Sequence, residues 1–151
     1  MPTGMTRTVA SLLVAFIATA HVAGSARDTL EDVWLTSKGE GKIEIRPCGT
    51  ELCGTVVYLA DPLTEEGEIK TDIFNPDPAM RERTLVGLRI LRIDGTPDSS
   101  GVWRHGRIYD PDSGKTYRCK MWMENADTLT MRGFLGVSLF GRTVRWTRVS
   151  P

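Results

Sequence analysis

Histidine is scarce in this chain: His21 and His105 are the only two in 151 residues. A Ser-His-acid triad needs an imidazole as its base. His21 lies in an apolar leader, and His105 shares a strand face with Trp103 and Arg107, which reads as solvent-facing. A G-x-S-x-G elbow, a phosphate-binding glycine loop and an H-E-x-x-H pair are all missing. Asp110, Asp112 and Gly114 in "DPDSG" superficially suggest a calcium loop, but the further acids and terminal Glu of such a loop are absent. Pro111 and Gly114 make that stretch a hairpin turn instead. Glu65, Glu66 and Glu68 flank Gly67 and read as a solvated loop. No catalytic residue, metal site or cofactor is expected. Net charge is lacking too, with 19 bases against 19 acids, so there is no electrostatic case for nucleic acid or an anionic membrane.

What is present begins with a leader. Met1–Thr8 carries one charged side chain, Arg7, and residues 9–23 ("VASLLVAFIATAHVA") are apolar apart from Ser11, Thr19 and His21. "GSA" follows, with Gly24 and Ala26 placed for cleavage. A basic start, a short apolar run and small residues describe a secretory signal peptide. The run is shorter than the roughly 20 residues that span a bilayer. Residues 1–26 are therefore expected to be removed. Residues 27–151 then form one domain, periplasmic or secreted, with no transmembrane segment.

Export allows a disulfide. Cys48 and Cys53 in "CGTELCG" are close, and Gly49 and Gly54 let the backbone turn, so a Cys48–Cys53 bridge clipping a hairpin is expected. Alternation puts Cys119 on one strand face with Tyr117, Met121 and Met123, where it reads as a buried core thiol.

Strand signals dominate the rest. Eight segments qualify: residues 33–36, 42–46, 53–60, 85–93, 102–110, 115–123, 128–135 and 141–149. Short links with turn chemistry join most of them. The expected fold is all-β, an eight-stranded antiparallel up-and-down barrel. Closure would remove the exposed edges that a sandwich of the same strands would keep. The one long crossing, Asp61–Thr84, follows the third strand. Within it "NPDPAMRER" reads as a short helix, with Asn75 as N-cap, Pro76 at the first helical position, and Arg81 and Arg83 at its end.

Four stretches, "IRPCGTELCGTVVYL", "TDIFNPDPAMRERTLVGL", "GRIYDPDSGKTYRCKM" and "LTMRGFLGVSLFGRTVRWTRV", together resemble the bacterial exported family called domain of unknown function 2147. The resemblance covers nearly all of residues 30–149. It implies a small periplasmic barrel of the lipocalin or calycin group, without an established activity. Such barrels often stack a first-strand Trp under a basic residue of the last strand. Trp34 is the candidate here, with Arg145 or Arg148 above it and Arg148 preferred; Asp32-Val33 replaces the usual Gly-x before the Trp.

Three functions remain in order of preference. The first is a binding module for a small apolar or amphipathic ligand. Tyr58, Tyr117, Met121, Met123 and Met131 are its candidate lining, and Arg81 and Arg83 the candidate cations at its mouth. The second is a structural or envelope-interaction protein with a filled barrel. An enzyme comes last. Phe134, Leu135, Leu139 and Phe140, set among Gly133, Gly136 and Gly141, read as an apolar tip over one barrel end.

Overall fold

A computed structural model describes residues 29–136 and 141–149. The proposed leader, Leu139 and Phe140 lie outside those residues. Eight strands follow in order: β1 (Asp32–Leu35), β2 (Gly41–Cys48), β3 (Glu51–Leu59), β4 (Arg89–Asp94), β5 (Val102–Asp110), β6 (Lys115–Asn125), β7 (Thr128–Phe134) and β8 (Arg142–Arg148). Each pairs antiparallel with its chain neighbour, and β8 returns to β1, so the sheet is a closed barrel. The closing seam is short, Trp34 opposite Arg148 and Leu35 opposite Thr147. The β4–β5 seam is equally short, Leu91 opposite Ile108 and Arg92 opposite Arg107.

Strand alternation explains the inside. Ile43 and Ile45 on β2, Leu91 and Ile93 on β4, Cys119 and Met121 on β6, and Leu129 and Met131 on β7 are two residues apart, and all are buried in one cluster. Leu30, Trp34, Trp103 and Trp146 complete it. The strand directions define two ends. The base holds Leu30 and the connections β2–β3, β4–β5 and β6–β7. The mouth holds the other connections, including the long segment between β3 and β4.

Tyr58 and Asn75 take positions other than the sequence suggests. Alternation from Val56 would point Tyr58 inward. A bulge in β3 shifts the register, however, so Ile43 faces Val56 while Lys42 faces Tyr58. The extra residue turns Tyr58 outward, where it is 46% exposed and lies beneath Lys42 Nζ at 5.0 Å. The short helix exists in the long connection but is a single 3-10 turn, Pro78–Met80, capped by Asp77, whose side chain accepts from Ala79 N. Asn75 is not its cap. Its Oδ1 accepts from Asp77 N, an Asx turn that leads into the helix rather than beginning it.

The disulfide Cys48–Cys53 forms at the base, and Cys119 is a free, buried thiol. Burial pushes the Cys119 pKa up to about 12, so it behaves as a small apolar side chain.

Candidate functional site: the mouth of the barrel

The base is closed by side chains. The Arg148 guanidinium lies 4.5 Å from the centre of the Trp34 ring. It pairs with Asp32 and donates to Ala126 O at 2.6 Å. Trp34 Nε1 donates to Leu30 O at 2.8 Å, so its one polar atom is satisfied inside the core. Partial burial pushes the Asp32 carboxyl up, but the Val33 amide and Arg148 outweigh it and hold the group below its ordinary range.

Core packing stops short of the mouth. A cavity of about 450 Å³ remains there, walled by Ile108, Tyr117, Met131 and Val144, with Phe134, Leu135, Asp110 and Arg142 at the rim. Beyond the Asp110–Pro111 corner lies a second hollow of about 390 Å³, lined by Ile43, Val56, Leu59 and Ile90 and roofed by Lys70 and Leu85 of the long connection. Apolar walls with a few polar groups at the entrance suit a small ligand.

The long connection is pinned beside this mouth by one buried carboxylate. Asp72 is fully buried. It accepts from Tyr109 OH at 2.5 Å, Asn75 Nδ2 at 2.7 Å and Arg83 Nη2 at 2.8 Å. Burial pushes its pKa up, yet the bonds from Tyr109, Arg83 and Asn75 win and hold it below the ordinary value. The same contact works in reverse on Tyr109, whose pKa is pushed up to about 12 by burial and by Asp72. The segment also presses on the β5–β6 turn. A Cβ on Gly114 would stand 1.9 Å from Phe74 O, and the φ of +65° at Gly114 favours glycine.

The candidate residues therefore scatter. Tyr117 and Met131 share the mouth cavity. Met121 is fully buried, and Met123 packs against the same cluster from the edge, so both serve the core. Tyr58 is on the outer wall. Arg83 is committed to Asp72, and Arg81 Nε donates to Asn75 O at 2.8 Å, so both hold the corner. Ile108, Val144 and Arg142 escaped the sequence reading. Strand alternation was the available signal: Ile108 follows Gly106, and Val144 precedes Trp146, on inward faces.

A closed antiparallel meander of eight strands, filled at one end and hollow at the other, is a lipocalin-like barrel. The chain belongs to the family described as an uncharacterized protein conserved in bacteria (DUF2147), which matches residues 32–148. Its structure is similar to protein HP1028 from Helicobacter pylori, described as belonging to the lipocalin family. The TM-score is 0.69 at 19% identity, over 81% of this chain and 84% of that one, a likeness of fold. No curated protein matches the sequence.

Proposed function

We propose that the mature chain, from residue 27 onward, is an exported, non-catalytic barrel that takes a small apolar or amphipathic ligand at its mouth. The carrying observation is the division of the interior. The base is filled by the buried cluster, whereas Ile108, Tyr117, Met131 and Val144 line an open hollow of about 450 Å³. That volume falls within the range of small-molecule sites, ~300–1,000 Å³. Arg142 at the rim supplies a cation for an acidic head group, the role first expected of Arg81 and Arg83. The leader-like N-terminus and the Cys48–Cys53 bridge support export.

Solvent extraction of protein purified from the periplasm, followed by mass spectrometry, tests this reading. A reproducible lipid-like species released from wild type and depleted in Val144→Trp, which fills the cavity, is the expected result. A second reading, attachment to an envelope partner, draws on Ile69, Ile73 and Phe74, exposed at 62%, 63% and 60% along the long connection. An empty extract, with tryptophan fluorescence unmoved by fatty acids, would favour that reading and reject the first.

A further inference from the structure

Charge is divided along the chain. Residues 29–88 hold 12 acids and 6 bases, while residues 89–149 hold 11 bases and 6 acids. Strand register then gathers the bases on the outer wall. Arg92 on β4 stands directly opposite Arg107 on β5, and Arg107 directly opposite Arg118 on β6. Lys120, next on that face of β6, is opposite Arg132 on β7. Like charges placed directly opposite each other destabilise a sheet, so folding offers no reason for this row. Arg92 is paired with Glu51, Arg104 with Asp98 and His105 with Asp94. Arg107, Arg118 and Lys120 have no acidic partner among the described residues.

The wall is also hollowed at this point. Trp103 pairs with Met121 and Gly106 with Cys119, which leaves Arg104 and His105 together facing Lys120 alone. To fit this bulge His105 adopts φ +53°, a conformation side chains seldom take. Bulges of this kind re-aim side chains, and such strain gathers at functional sites. The result is a depression of about 420 Å³ bordered by Arg107, Arg118 and Lys120, with Phe134 at its edge.

We propose that this depression is an oxyanion site for a phosphomonoester, held by Arg107, Arg118 and Lys120. A tetrahedral dianion offers three acceptor oxygens, enough for two guanidinium forks and an ammonium. A single carboxylate would leave most of the repulsion between the cations in place. The site lies on the outer wall and does not depend on what occupies the mouth.

Calorimetric titration of the mature protein with inorganic phosphate and with glycerol 3-phosphate forms one arm of the test. Sedimentation with phosphatidylcholine vesicles, with and without phosphatidic acid, forms the other. Binding of the soluble phosphates identifies a free ligand; binding of the phosphatidic acid vesicles alone identifies a lipid head group. In either case the double variant Arg107→Gln/Arg118→Gln weakens binding by about tenfold or more. Arg145→Gln, whose native side chain pairs with Glu124, leaves it unchanged. The double variant also melts no lower than wild type, because the cross-strand repulsion is gone. Absence of binding in both arms overturns the proposal. So does equal loss in Arg145→Gln, binding that survives the double variant, or a lower melting point for that variant.

Discussion

The two ends of the barrel solve one problem in opposite ways. At the base, chain ends meet through packed rings and a charge that is nearly withdrawn from water: the Arg148 side chain is 9% exposed, set over Trp34 and paired with Asp32. At the mouth, side chains leave space, and order comes from a polar knot around Asp72 that ties down the long connection. The cation–ring pair at the base and the carboxylate knot at the mouth thus hold the two ends by different means. Trp34 and Arg148 are themselves cross-strand partners, so the stacked pair fastens a closing seam of only two rungs.

The largest effect should follow damage to the base. Arg148→Met strips Asp32 of its partner and Trp34 of its cation, and should cost about 3 kcal/mol in urea unfolding. A loss no greater than that of a surface arginine would erase the distinction between the ends. Next comes Asp72→Ala, which leaves Tyr109 OH and Arg83 without their buried acceptor. It should cost about 2 kcal/mol and raise hydrogen exchange in residues 62–84 more than in the strands. Reduction of Cys48–Cys53 should cost about 2 kcal/mol, since the closed loop is short. Thiol titration should find no reactive cysteine in the native protein and one after non-reducing denaturation. Val144→Trp should have the smallest effect on stability, a loss of about 1 kcal/mol, while weakening ligand uptake at the mouth.

The knot also makes the mouth sensitive to pH in two directions. Asp72 is held below its ordinary pKa of 3.8 when folded, so its contribution is complete above that value and drains away as pH falls through the lower folded value. Tyr109 is raised from 10.0 to about 12, so its contribution is complete below pH 10 and is lost as pH climbs toward 12. Limited proteolysis of the long connection, compared with far-ultraviolet signal from the strands, should show the connection released first at both extremes.

Much of the architecture was legible in the residues. Alternating apolar positions and turn-forming links marked eight strands, and the short spacing of Cys48 and Cys53 marked their bridge. The interior was harder, because alternation is local and bulges are not. One extra residue at Val57 reversed Tyr58, and another in β5 set Arg104 and His105 together against Lys120. Methionine adds its own ambiguity, since Met121 and Met131 are both buried in the core, yet Met131 also borders the mouth hollow. Arg81 and Arg83 looked like free cations because their partners, Asn75 O and Asp72, are reached only when the connection folds back. The row Arg92–Arg107–Arg118 depends on register across three strands, which no single stretch of sequence displays.

The proposed division between a filled base and a ligand-taking mouth is tested most directly by following backbone amide resonances during titration with a medium-chain fatty acid. Saturable shifts are expected at Ile108, Tyr117, Met131 and Val144, with Trp34, Leu129 and Arg148 unmoved. Shifts centred on the base, or none anywhere at saturating ligand, would contradict it.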